Sequence, residues 1–174
     1  YGRDPLQPLR DVINDDGDIV VPVDPRYLGF WLTGLFGDPT SGDVAATGFI
    51  DFSGLPSEND TITINSTEFT FVSSAPAGDE ILIGGTPIQT VDNAVSQLNA
   101  SSDGNVTVAT YSRPTGTSRL LVTHDTAGST GNAFTLAKDC DVATLSDNTL
   151  EGGGTEHEFV SGNDTLPSYS IQVG

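Results

Sequence analysis

Between positions 61 and 72 the chain reads Thr61-Ile62-Thr63-Ile64-Asn65-Ser66-Thr67-Glu68-Phe69-Thr70-Phe71-Val72, two arms of strict alternation about a turn-forming triplet. Ile62 and Ile64 fall on one face of the first arm, Phe69 and Phe71 on one face of the second. Successive side chains of a strand point to opposite faces, so the pattern predicts an antiparallel hairpin buried on one side. A two-stranded pair is marginal in water by itself. This hairpin therefore needs more strands or a helix, and the run from 46 to 154 supplies both.

That run opens with Thr47-Gly48-Phe49-Ile50-Asp51-Phe52, alternating like a strand, and continues past the hairpin to Glu80-Ile81-Leu82-Ile83. A helix is predicted from Thr86, with Pro87 at its first position and Gln89 where a capping box places it. Ile88, Val91, Val95 and Leu98 share one side of it, and Gln89, Asp92, Asn93 and Ser96 the other, the spacing of a helix packed on a sheet. Val106 with Val108, and Leu120 with Val122, mark two further strands joined through Arg113-Pro114-Thr115-Gly116. Phe134 and Leu136 begin another, residues 142–145 form the last, and Gly152-Gly153-Gly154 reads as a flexible exit.

The flanks are too short to stand alone. Residues 1–18 are polar and turn-rich, and Ile19-Val20-Val21-Pro22-Val23 is a short strand whose proline suggests an edge or an end. Then comes the clearest helix: Asp24 caps it, Pro25 suits its first turn, and Gly37 ends it in a left-handed conformation. Leu28, Trp31, Leu32, Leu35 and Phe36 form one apolar stripe, widened by Tyr27 and Phe30. One helix cannot bury that stripe, so Phe30, Trp31, Leu35 and Phe36 belong either to a helix–sheet core or to a subunit interface. Residues 38–45 read as a linker. His157-Glu158-Phe159-Val160 and Tyr169-Ser170-Ile171-Gln172-Val173 read as closing strands, with Leu166-Pro167-Ser168 turning between them. The simplest organisation pairs the flanks as one discontinuous domain, 1–45 plus 155–174, with 46–154 inserted in it. Starting at Tyr1 and stopping after a strand-like end, the chain reads as a fragment or processed piece of a longer polypeptide.

Charge excludes one class of function. Twenty-four acids against six bases leave a net charge of −18, and the acids are scattered along the chain. Nucleic-acid binding depends on Lys and Arg neutralising phosphates, so this chain does not read or wrap DNA. A surface past which DNA moves without sticking fits the same charge, and so does life in high salt. No apolar stretch approaches the roughly 20 residues of a membrane helix.

No catalytic constellation emerges. The two histidines, His124 and His157, lie on different elements without a third positioned ligand, so no zinc site is expected. The single cysteine, Cys140, cannot form an internal disulfide, and Asp139 and Asp141 beside it disfavour a reactive thiolate, leaving a passive strand-edge residue. Asn14-Asp15-Asp16-Gly17-Asp18 lacks the EF-hand order of Gly and Glu and reads as a loop tip. Gly128-Ser129-Thr130-Gly131 lacks both a nucleophile-elbow spacing and a phosphate-loop Lys, which leaves a tight turn. Gly84-Gly85 precedes a helix N-terminus, but Asp79 and Glu80 lie too close for an anion. N-x-Ser/Thr sequons, among them those at Asn65, Asn99, Asn105 and Asn163, fit a chance origin in a chain rich in those residues. No enzyme activity, cofactor or metal is expected.

Val21-Pro22-Val23-Asp24-Pro25-Arg26-Tyr27-Leu28-Gly29-Phe30-Trp31-Leu32-Thr33-Gly34-Leu35-Phe36-Gly37-Asp38-Pro39-Thr40 resembles the start of tail tube proteins of long-tailed bacteriophages and prophages. His157-Glu158-Phe159-Val160-Ser161-Gly162, followed by Leu166-Pro167-Ser168-Tyr169-Ser170-Ile171, resembles a later part of the same family. The middle of the chain, with its 61–72 hairpin and Gly131-Asn132-Ala133-Phe134-Thr135-Leu136, is similar to a β-rich domain common in phage tail proteins. The resemblance implies a mainly β (α+β) fold: a tail-tube-like β-sandwich or barrel with a flanking helix, interrupted by an inserted β-rich domain containing one helix. It implies a structural virion protein of the phage tail, assembled in the bacterial host cytoplasm. Its partners would be itself, in hexameric rings stacked as a conduit for DNA ejection, other tail proteins, and DNA in transient passage, with no membrane involved. On that reading Asp15, Asp16 and Asp18 are candidates for acids facing the lumen. The rival expectation, from another class, is a stand-alone cell-surface or carbohydrate-binding β module.

Overall fold

A computed structural model of the chain describes residues 25–160, with side chains from position 28 onward. The strand expected at 19–23, the Asp24 cap, Asp15, Asp16 and Asp18, and the closing strand at 169–173 lie outside the described residues. The chain divides into two compact units, residues 1–38 with 159–174, and residues 39–158.

The 39–158 unit is two sheets over one core. In chain order it contains β1 (Thr40–Phe52), β2 (Thr61–Ile64), β3 (Thr67–Val72), β4 (Glu80–Leu82), α2 (Pro87–Ala100), β5 (Ala109–Ser112), β6 (Arg119–Ala127), a 3-10 turn (Ser129–Ala133), β7 (Leu136–Asp139), β8 (Ala143–Leu145) and β9 (Gly154–Glu158). The first sheet runs β5-β6-β1-β8, with β9 pairing to β1, and the second runs β4-β3-β2-β7. Among the described residues all strand pairings are antiparallel except β3 with β4. The fold is mainly β with helices, as expected from the sequence.

The hairpin forms where alternation placed it. Ile64 pairs with Thr67, so the loop is the two residues Asn65 and Ser66, whose φ of 44° and 76° make a type I′ turn. Ile62, Ile64, Phe69 and Phe71 are all buried and meet Ile50, Phe52, Leu120 and Val122 of the first sheet in one cluster. Phe52 and Phe71 touch edge to face, with centroids 5.7 Å apart. Each such side chain contributes about 1.5–3 kcal/mol by burial, so this layer holds the two sheets together.

The second helix also starts as expected. Thr86 is extended, its side chain accepts the Gln89 N–H at 3.2 Å, and Pro87 opens the helix. Gln89 does not return to the cap residue; its Oε1 accepts the N–H of Gly85, one residue earlier, at 2.9 Å. The buried stripe is Thr90, Val91, Ala94 and Leu98, with Val95 partly buried and Ile88 exposed. The small Ala94 permits a close approach to the sheet, so the contact centres one residue away from the larger apolar side chains.

Three expectations need correction. Residues 40–44, read as linker, are the first half of β1, because β9, more than a hundred residues away, supplies their partner: Thr40 pairs with Glu158 and Val44 with Gly154. Gly152-Gly153-Gly154 is not a free exit, since Gly154 begins β9 and Gly153 is bonded to Asn132. Val106 and Val108 are not in a strand. The Asp103 carboxylate accepts the Asn105 N–H at 2.8 Å and its carbonyl accepts that of Val106 at 3.0 Å, so an Asx turn captures this segment and β5 starts at Ala109.

Of the other unit, α1 (Pro25–Phe36) is described. Gly37 follows at φ 85° and donates its N–H to the Thr33 carbonyl at 2.8 Å, the left-handed stop expected from the sequence. Phe30 and Trp31 meet edge to face at 5.5 Å. Leu28, Phe30 and Leu35 are 39%, 54% and 65% exposed, while Trp31, Leu32 and Phe36 are half-buried.

Candidate assembly and charge surfaces

The groups that could have carried chemistry are occupied by structure. His124, in β6, is 8% exposed; its Nδ1 accepts the Thr126 N–H at 3.1 Å, and its ring stands edge-on to Phe134. His157 lies on β9, and its Nδ1 is 2.6 Å from the hydroxyl of Ser41, its register partner on β1. Such a contact has the form of a nucleophile and base. Glu156 and Glu158, however, neighbour His157 on the same strand, and the two-residue period turns them to the opposite face, away from the imidazole. The Ser41–His157 bond therefore stitches two exposed strands.

Cys140 lies at the end of β7, within the core. Burial, reinforced by a hydrogen bond with Asp60, pushes its thiol up to about 11, so it stays protonated. The flanking Asp139 and Asp141, invoked from the sequence, are not the cause. The Tyr111 hydroxyl is raised above the ordinary phenol range by burial and then by Asp125, and it donates to the Val106 carbonyl at 2.9 Å. Gly84 and Gly85 do not offer an anion seat, because their N–H groups are taken by Thr90 Oγ1 and Gln89 Oε1, each at 2.9 Å. Gly128 to Gly131 lead through the 3-10 turn. Among the described residues no group of three or more His, Cys, Asp or Glu is placed to hold a metal ion.

The charge is the dominant surface property. Residues 39–158 hold sixteen acids and three bases, a net −13. Each of the three bases has a partner inside the unit. Arg119 reaches Asp51 through Nε at 2.8 Å and a terminal nitrogen at 2.7 Å, and its guanidinium lies 3.7 Å over the Phe49 ring. Arg113 bonds Asp92 on α2 and the Thr117 carbonyl, and Lys138 donates to the Cys140 carbonyl at 2.9 Å. Several carboxylates secure loops: Glu58 accepts the Ser73 N–H, Glu80 that of Ala77, and Asp60 that of Ser57. The remaining acids of the unit are exposed, apart from the half-buried Asp103, which accepts the Thr67 hydroxyl and the Asn105 N–H.

Three features escaped sequence reasoning because each depends on tertiary register. Asp51 and Arg119 are opposite each other on β1 and β6. Asn99 grips the backbone of Tyr111, its Nδ2 donating to the carbonyl at 2.8 Å and its Oδ1 accepting the N–H at 3.1 Å. Asn132 holds Gly153 in the same two-point manner. The asparagine of the 131–136 motif was the available signal, but nothing local named its partner. Of the residues that the sequence singles out, Phe30, Trp31, Leu35 and Phe36 sit together on α1, while Asp15, Asp16 and Asp18 are outside the described residues.

Among the described residues the body is mainly β, no buried side-chain polar atom lacks a partner, and acids far outnumber bases. The family model described as "Phage tail tube protein" matches residues 1–171, and the chain belongs to that family. It is a structural component of the tail of the virion, and the family is one that assembles with itself and with other tail proteins. No curated protein matches the chain.

Proposed function

We propose that copies of this chain close into rings, hexameric by resemblance, that stack into the tube through which DNA leaves the virion during ejection. Assembly takes place in the host cytoplasm. The family match across 1–171 carries this reading. The charge supports it: a net −18 repels a phosphate backbone, and within a Debye length of roughly 8–10 Å wall carboxylates keep DNA from adhering. Asp15, Asp16 and Asp18 are the acids we assign to the lumen, and Phe30, Trp31, Leu35 and Phe36 of α1 the apolar contact between subunits. The exposure of Leu35 supports that second assignment.

The flanks form the tube domain on this reading, and the central run is carried as an insertion. An inserted domain requires adjacent entry and exit, and Thr40 and Glu158 are register partners. The test is electron microscopy of the protein at high concentration. Rings or tubes are expected; monomers alone across salt and concentration would overturn the reading. Excising the central run and joining the flanks should leave a cooperatively folding β domain, and loss of cooperative unfolding would count against the insertion.

A further inference from the structure

The first five residues of β1 and the whole of β9, paired over 40–44 and 154–158, form a ribbon, and one short turn grips its root on both sides. On β1, the Val44 carbonyl accepts the Gly128 N–H at 2.9 Å. On the other strand, Asn132 Nδ2 donates to the Gly153 carbonyl and Asn132 Oδ1 accepts the Gly153 N–H, both at 2.9 Å. A primary amide presents one donor and one acceptor at the spacing of a peptide group, so Asn132 makes the contact that a neighbouring strand would make. Gly153 admits it for lack of a side chain: a Cβ there would lie 2.5 Å from the Gly128 carbonyl oxygen and 3.0 Å from the Ala46 Cβ. The turn itself is wedged in place, since a Cβ on Gly131 would lie 2.6 Å from the His124 Cβ and 2.9 Å from that of Ala46.

Gly152, Gly153 and Gly154 in succession would by composition make a swivel, and Gly152 already sits at φ 77°. Such a swivel would leave the course of the chain free between the Thr47–Glu151 backbone pair and the β1–β9 ladder at 154–158. We propose that Asn132 is a positioning residue, a latch that holds Gly153 so that β9 enters its ladder with the first five residues of β1 in one fixed course. The two residues of the Gly-Asn pair at 131–132 then act differently. The glycine lets the turn seat against His124 and Ala46, and the asparagine reaches across to the strand.

Amide hydrogen exchange on the whole chain tests this, with Asn99→Ala as the control. Asn99 makes the same two-point contact on Tyr111 of β5 and so reports what losing such a contact does elsewhere. In Asn132→Ala, amides at 153–157 are expected to exchange on the order of tenfold faster, with the 61–72 hairpin and α2 unchanged. In Asn99→Ala the acceleration is expected at β5 and not in the ribbon. Asn132→Asp, which keeps the acceptor for the Gly153 N–H but loses the donor, should fall between wild type and Asn132→Ala. Unchanged ribbon exchange in Asn132→Ala would overturn the proposal, and so would an equal acceleration in every strand, which denotes lost global stability. Exchange in dilute protein does not depend on ring formation, so this result and that of the microscopy stand separately.

Discussion

Asp51 and Arg119 face each other across β1 and β6, and their charges meet in a two-point contact at 2.7 and 2.8 Å above the ring of Phe49. Both side chains are partly open to solvent, each 38% exposed, which limits what the pair contributes. The planar fork and the ring fix its geometry, and Lys at 119 would keep the charge but lose the fork. We predict that Arg119→Lys lowers stability slightly and Arg119→Ala somewhat more, each as a small shift of the unfolding midpoint. Urea unfolding at fixed salt measures both, and an unchanged midpoint in Arg119→Ala would remove any role for the contact.

The I′ turn of the 61–72 hairpin is chemically imperfect. Ser66 occupies its second position at φ 76°, where a side chain is strained and Gly is the usual occupant. Relief of roughly 1–2 kcal/mol of left-handed strain, less the greater entropy of Gly in the unfolded chain, leaves a net gain of about 0.5–1 kcal/mol for Ser66→Gly. Thermal unfolding should show a raised Tm; a lower one would mean that the Ser66 side chain stabilises the turn.

Cys140 gives a pH dependence of fixed sign. Its thiol moves from an ordinary value of 9.0 up to about 11 on folding, because burial disfavours the thiolate. The folded state therefore holds its proton longer than the unfolded state. The associated stability is complete below about pH 9 and is lost as pH rises towards 11. Denaturation midpoints measured at pH 7.5, 9 and 10.5 should fall more steeply in the wild type than in Cys140→Ala, and parallel curves would contradict the assignment.

Salt should stabilise this protein. With a net −13 on residues 39–158 and all three bases partnered internally, added ions screen repulsion and have few exposed attractions to weaken. The Debye length shrinks from roughly 10 Å at 0.1 M to 3 Å at 1 M. Over that range a gain on the order of 1–3 kcal/mol, or roughly 3–10 °C in Tm, is expected. Calorimetry in KCl reads it directly, and a flat or falling Tm would show that the acids are too far apart to repel.

What the sequence disclosed was local. The 61–72 hairpin and the start of α2 were legible because alternation, Asn65-Ser66 and the Thr86-Pro87 pair act within a few residues. The first half of β1 was not: Thr40-Ser41-Gly42-Asp43 has the composition of a linker, and only pairing with β9 makes it a strand. Val106 was misplaced for the converse reason. Apolar spacing suggested a strand, but the Asp103 side chain and carbonyl had already committed the backbone to a turn. The two asparagine clamps were invisible, because a side chain that imitates a peptide group carries no periodicity.

Thr40 and Glu158 being register partners has a consequence for connectivity itself. Cross-strand partners lie about 4.5–5.5 Å apart, a gap that a two-residue turn closes. The ends of the unit could then be joined and new termini opened in the exposed segment around Ser74, with every strand keeping its neighbour. The order in which this chain visits its strands is thus separable from the arrangement they adopt.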